Sequence, residues 1–492
     1  MNRPARYTLL YQGAPALIAL LLAGCVTPPS VSEPSIGPAT AALKSREAVV
    51  ARQPALNNKQ APKRWWELFN DDTLIRMESE VGSSLDLQTA SLRINESRAL
   101  LGLVDASRRP GISASAGYSS SAISENSPTY QLGAPASSYD TWSLGTQASW
   151  ELDLWGHLRH LSESAQASLQ ASYYGREATE VSVTAEVART YFLLRGVQAQ
   201  ASLVEANQRI ARDLVRMAES RARNGVANRF DAASARADAA GLDARLTELG
   251  HQSDTLMNAL ARLLGKPPRE LDERLKAAGL PSMPGQLPIG VPSELARNRP
   301  DILQAEAKLH AAVADIGAAQ ADFYPRISLN GSLGVQAFNL SDLGSWGSRQ
   351  FSVGPTLYLP VFEGGRLRRQ LELSETRAAL AGIAYQQTVL QAWHEVDDAL
   401  GSYASELKRH EQLQSALDNN QTALSVAQRS YQEGSADFTT VLIARRTLLA
   451  SQAELSDCAT ASALAVVSLY RALGGGWSAD LETKPVSVRA SS

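Results

Sequence analysis

Four stretches of this chain alternate apolar residues with small polar ones, which is the period of a β-strand. Ile112, Ala114, Ala116 and Tyr118 fall on one face, with Ser113, Ser115, Gly117 and Ser119 on the other. Trp142, Leu144, Thr146, Ala148, Trp150 and Leu152 alternate with Ser143, Gly145, Gln147, Ser149 and Glu151. Ile327, Leu329, Leu333 and Val335 alternate with Ser328, Asn330 and Ser332, and Phe351, Val353, Leu357 and Leu359 with Ser352, Gly354 and Thr356. Pro355 removes a ladder donor from the last stretch, so a bulge or a strand end is expected there. Between the strands the apolar spacing turns helical. Helices are expected over 72–108, 156–223, 230–264, 293–322, 364–433 and 437–473.

This order is written twice. A shift of 209 residues lays 142–236 over 351–445 without a gap, placing Gly145 on Gly354, Gly156 on Gly365, Glu186 on Glu395, Gly225 on Gly434 and Arg236 on Arg445. Upstream a shift of 215 places Asp86 on Asp301 and Pro110 on Pro325, so the length difference falls between the first and second strands. Each repeat holds a helix, two strands, a very long helix and a return helix.

The cores of the strands, 112–118, 142–150, 327–336 and 351–360, carry no charge. Strands of about ten residues with one apolar and one polar face are the pattern of a transmembrane barrel. Trp142, Trp150, Trp155 and Trp346 lie in or beside them, where an aromatic girdle belongs. The same alternation also fits a soluble sandwich with one wet face. Four strands cannot close a membrane barrel, because an open edge in lipid leaves backbone groups unpaired. Copies must therefore join, in a number that the strand count alone leaves open. Each long helix would reach roughly 100 Å at 1.5 Å per residue, and two shorter helices stacked end to end match each in length. Gly225 and Gly434 suit the left-handed residue that ends a helix. Asn228 with Asp231, and Asp437, suit the caps of the returning helices.

Arg3 and Arg6 precede a short apolar run ending in Leu22, Ala23, Gly24 and Cys25. The run is too short to span a bilayer and reads as a secretory signal. Its last four residues resemble the bacterial lipobox, which implies a signal peptide over 1–24 and a covalent lipid on Cys25. Val26 stands where an inner-membrane retention aspartate would, so the resemblance implies the outer membrane. Residues 25–70 read as a lipidated tether and belt, 71–264 as the first repeat, 265–292 as a mid-height connector, 293–473 as the second repeat and 474–492 as a tail.

With 47 Lys and Arg against 50 Asp and Glu, no basic face invites a nucleic acid. Removal of Cys25 by acylation leaves Cys458 alone, so no intrachain disulfide is available. Catalytic signatures are thin. His394 and Glu395 begin a zinc-protease pattern that Asp398 breaks, and His157 and His160 suit a solvated junction better than a metal. Neither a nucleophile elbow nor a phosphate loop is present. No enzyme activity and no cofactor are expected.

Several motifs carry a family resemblance. They are Pro292, Ser293, Glu294 and Leu295 through Arg299, Pro300, Asp301 and Ile302; Phe323, Tyr324 and Pro325; Pro360 through Arg366; and Leu469 through Trp477. With the lipobox, they resemble TolC-like outer-membrane efflux channels of the acylated subgroup. The resemblance implies a mainly α protein with a membrane β-barrel: a homotrimer of twelve strands on a long periplasmic helical tunnel, seated in outer-membrane lipid. It also implies partnership with a periplasmic adaptor and an inner-membrane RND-type pump. The turns Asn224, Gly225, Val226, Ala227 and Glu433, Gly434, Ser435, Ala436 would then dock the adaptor. The aperture would lie at Arg229, Asp231, Asp437, Thr440, Ile443, Arg445 and Arg446. The family often places carboxylates where Thr440 and Ile443 stand, so apolar contact and arginine pairs are expected to hold it. The alternative is that these residues are caps and solvated helix faces. A structural or adhesive lipoprotein with a coiled-coil stalk is the alternative for the whole chain.

Overall fold

A computed structural model describes residues 55–57, 59, 61–133, 136–225, 228–290, 299–475 and 477. Cys25, most of the tether, Val226, Ala227, the expected helix start at Ser293 and most of the tail lie outside the described residues. The chain divides into two compact units. Among the described residues, one comprises Ser97–Leu169 and Ala307–Gly382, and the other those that fall within 55–96, 170–306 and 383–477.

The first unit holds one antiparallel sheet of β2 (Gly111–Ser121), β3 (Tyr139–Leu152), β5 (Arg326–Ala337) and β6 (Arg349–Tyr358), in the order β2-β3-β5-β6. Register sorts the two faces. Ile112 opposes Ala148, Ala116 opposes Leu144 and Tyr118 opposes Trp142; further along, Thr146 meets Leu333, Leu333 meets Phe351 and Ile327 meets Leu357. On the other face Ser113 meets Gln147, Gln147 meets Ser332 and Ser332 meets Ser352. A one-residue slip would exchange the faces, so this pairing is strongly specified. β2 and β6 are unpaired edges, and Phe351 and Val353 on the apolar face are 81% and 73% exposed.

Pro355 sits opposite Leu329 in an unbroken register, without the bulge or strand end the sequence suggested. The reason is position: β6 is an edge, and alternate residues of an edge strand aim their N–H away from the only partner. Aromatic residues gather at two levels. Tyr118 and Trp142 have ring centroids 4.6 Å apart near the loops, while Trp155 stacks on Tyr324 at 4.9 Å where the helices begin. Trp142 and Trp150 are separated by about 27 Å along the strand, close to an apolar membrane band.

The second unit is helical. Its long elements are α3 (His157–Arg223), α4 (Arg229–Leu263), α6 (Arg366–Gln432) and α7 (Phe438–Ala472); α3 and α6 both begin in the first unit. The expected helix 72–108 is broken into α1 (Asp72–Ser79) and α2 (Leu85–Ser107) around a 3-10 turn, Val81–Ser83. Gly82, Ser83 and Ser84 supply the break. Ser84 is extended, and the Ser83 hydroxyl donates to Leu264 O at 2.9 Å, so α4 ends against the start of α2. At the corresponding junction α7 ends against α5 (Pro300–Ala321), where buried Arg299 donates to Ala472 O at 2.9 Å. Arg299 also grips Asp301 and Glu395, each at 2.7 Å. Both pairs of shorter helices thus meet end to end.

The core lies around these junctions. Trp65 stacks on Tyr470 with centroids 5.3 Å apart, and Phe69 packs on Phe192 at 4.6 Å. The tether joins there as well: β1 (Leu56–Asn57) pairs in parallel with β4 (Leu287–Pro288) of the connector. The phenol of Tyr191 donates to Asp71 at 2.9 Å and accepts from Arg195 Nε at 2.9 Å. Burial pushes that phenol up to about 12.

Candidate functional site

The helix turns close the ends of α3–α4 and α6–α7. Gly225 and Gly434 take φ of +70° and +77°, the left-handed geometry expected from the sequence. Beyond Gly434 the amide of Ser435 donates to Ser430 O at 2.9 Å, the six-to-one bond of a Schellman ending. Asn228 caps α4 by accepting from the Phe230 amide at 3.3 Å. Asp437 has the extended backbone of a cap, but its carboxylate makes no capping bond. That part of the expectation is corrected: backbone geometry ends the turn without help from the side chain.

Four helices converge behind the turns. Phe438 and Leu442 of α7 are buried with Ala218 of α3 and with Ala232 and Ala235 of α4. Tyr431 of α6 lies against Phe438 with centroids 5.6 Å apart. The Arg221 guanidinium donates to the Tyr431 hydroxyl at 2.5 Å and sits 4.9 Å from its ring centre. Apolar contact therefore ties both repeats together within one chain. Sequence reasoning missed Phe438, Tyr431 and Arg221, although an aromatic on each side of the Gly434 turn was a visible signal.

The candidate residues separate into two groups. Asn224, Gly225, Arg229, Glu433, Gly434, Ser435, Asp437, Thr440, Ile443 and Arg446 are exposed, while Asp231 and Ala436 are half-buried. Thr440 and Ile443 are three residues apart on α7, and so on one helical face. Arg445, by contrast, is buried, and its Nη2 donates to Asn207 O on α3 at 2.5 Å. Its Nη1 has no partner. Burial pulls this guanidinium below its ordinary value, with the Asp238 charge opposing.

Arg446 pairs with Asp238 of α4 at 2.8 Å. Its head is largely exposed, so solvent keeps the pair to roughly 0.2–1 kcal/mol. Asp238 was also missed, because nothing local in sequence says that this carboxylate faces α7. Asn224 and Gly225 lie on one turn and Glu433 to Ala436 on the other; no described contact joins the two turns directly.

The strand-to-helix corner holds the remaining candidate histidines. His157 Nδ1 lies 3.0 Å from Asp322, and His160 Nδ1 lies 3.2 Å from Glu163. Asp153 caps α3 by accepting from the Leu158 and Arg159 amides at 3.0 and 2.7 Å. Among the described residues, no group of three or more acidic, histidine or cysteine side chains is arranged to hold a metal.

A family model described as outer membrane efflux protein matches residues 78–266 and 291–475. The outer membrane protein OprJ of Pseudomonas aeruginosa is 33% identical over 480 residues, covering 94% of this chain and 95% of its own length. The toluene efflux pump outer membrane protein TtgI of Pseudomonas putida is 32% identical over 475 residues, covering 95% of this chain and 99% of itself. Among solved structures, the outer-membrane channel OprN superposes with a TM-score of 0.83 at 31% identity, over 92% of this chain and all of its own. VceC of Vibrio cholerae superposes at 0.78 with 28% identity, over 85% and 99% respectively.

Proposed function

The chain belongs to the outer membrane efflux protein family, and from that membership we propose that three copies close a twelve-stranded barrel leading into a helical exit duct. It is an outer-membrane component of an efflux system, and small molecules leave through it passively. The observation that carries the reading is the four-stranded sheet, apolar on one face, polar on the other and unpaired at both edges. In lipid such edges require partners, and three sheets of four strands supply them. A lipid on Cys25 would anchor each copy, and the tether over 25–70 would join the connector 265–292 as a belt.

The duct itself carries out no chemistry; a periplasmic adaptor and an inner-membrane RND-type pump supply partner contacts and energy. The turns at Asn224 to Ala227 and Glu433 to Ala436 are the surface offered to the adaptor, with Asn224, Gly225, Glu433, Gly434 and Ser435 exposed. The aperture closes on Arg229, Asp231, Asp437, Thr440, Ile443 and the Arg446–Asp238 pair, with no ring of carboxylates at Thr440 and Ile443. Arg445 supports it from behind by holding α7 to α3. Adaptor contacts that favour a rotated α7 would shift the population toward the open state.

Planar bilayers test this. The acylated protein alone should conduct poorly, and Arg446→Ala or Asp238→Ala should raise single-channel conductance, with the double variant little different from either. Arg445→Ala should instead cost stability, about 1.5–3 kcal/mol for a lost charged hydrogen bond. In a parent that conducts, conductance left unchanged by both Arg446→Ala and Asp238→Ala would remove this pair from the aperture.

A further inference from the structure

The four strands contain only four charged residues, and register places none of them within the interior of the polar face. Asp140 and Arg349 have the parity of the apolar face, at the loop end. There Asp140 accepts from the Tyr118 hydroxyl at 3.2 Å, and Arg349 lies 3.5 Å from the Trp346 ring centre. Glu151 and Arg326 have polar-face parity but stand at the opposite end, beside the helix junctions, where Arg326 is paired with Asp322. Between those ends the polar face is built only from hydroxyl, amide and glycine positions.

Three of these side chains are joined across the strands. Ser149 Oγ donates to Asn330 Oδ1, its register partner, at 2.9 Å, and Asn330 Nδ2 donates diagonally to Thr356 Oγ1 at 3.0 Å, linking β3, β5 and β6. The next row is Ser113, Gln147, Ser332 and Ser352. A shallow groove of about 500 Å³ follows both rows on β3, β5 and β6. Fixed hydroxyl and amide dipoles solvate solutes of either sign without presenting a net charge.

We propose that Ser113, Gln147, Asn330, Ser332, Ser352 and Thr356 form a charge-neutral lining that passes anionic, cationic and uncharged solutes without electrostatic rejection. The inference rests on the duct reading, in which the apolar face meets lipid and the polar face lines the bore. It leaves this stretch of the barrel without discrimination by charge. Three copies would repeat each row around the bore, so one substitution introduces a ring of like charges. Such a ring acts on permeating ions over a distance set by screening, about 10 Å at 0.1 M salt and about 30 Å at 0.01 M.

The test is the reversal potential across a planar bilayer in a dilute KCl gradient, using the full acylated chain and the variants Ser332→Asp and Ser332→Lys. The aspartate variant should raise the potassium-to-chloride permeability ratio several-fold over the parent, and the lysine variant should lower it by a comparable factor. Ser113→Asp and Ser113→Lys, in the same row on another strand, repeat the comparison should the Ser332 variants fail to assemble. If both signs leave the ratio at the parent value in a conducting protein, the row does not face the permeation path and the inference is overturned. A shift from lysine alone would also overturn it, because the lining would already carry a negative field. A parent protein that never conducts, even after Arg446→Ala, would instead sink the duct reading.

Discussion

Both carboxylate oxygens of Glu78 are buried without a hydrogen-bond partner, on the face of α1 that also buries Leu74 and Met77. Burial holds its carboxyl well above the ordinary value. The folded chain therefore keeps a proton that the unfolded chain releases, so stability falls as pH rises from about 4.3 toward the raised value. Glu78→Gln should unfold at a higher temperature than the parent near neutral pH, and the gap should close in acid, as read from thermal melts across pH. A gap that is independent of pH would mean that the residue acts through packing alone. Other residues show where sequence reading stops. Arg236 and Arg445 are equivalent in the repeat, yet Arg236 is exposed and Arg445 is buried against α3. Spacing puts each on a helix; only the packing of the return helices decides which meets a neighbour.

At the scale of the element, strands were the most legible because their period separates two solvents. Apolar and polar rows pair across all four strands in the register that the alternation demands. What alternation does not give is order in the sheet, and hence the fact that β6 is an edge where Pro355 fits without a bulge. The helix break at Gly82 to Ser84 was written in the sequence, but the apolar spacing on either side masked it. One close approach makes a sharp prediction. Gly145 and Gly334 face each other between β3 and β5, and a Cβ on Gly334 would come within 2.8 Å of Leu144 O. Gly334→Val should cost about 1–3 kcal/mol through overpacking and reduce recovery of heat-stable assembled protein. Gly331→Ala, where the added carbon would be 3.9 Å from Ser352 O, should assemble normally. Equal recovery of both variants would show that the strands can separate to accept the side chain.

For the molecule as a whole, duplication explains why two strands from each repeat make one continuous sheet, with β3 of the first repeat paired to β5 of the second. Repetition also supplies two end-to-end helix junctions, although they are held differently: a serine hydroxyl on Leu264 O in one and the Arg299 clamp in the other. The duct architecture was legible from strand count, helix length and motif together, because an incomplete barrel and overlong helices each demand a partner. The contacts at the turns were not legible, since they depend on which face each return helix presents. Incomplete closure in one chain is the claim beneath the whole account. Native mass measurement of the full acylated chain, gently extracted in detergent, tests it most directly. Three copies per particle is the predicted result, and a particle holding a single copy with its strands intact would contradict it.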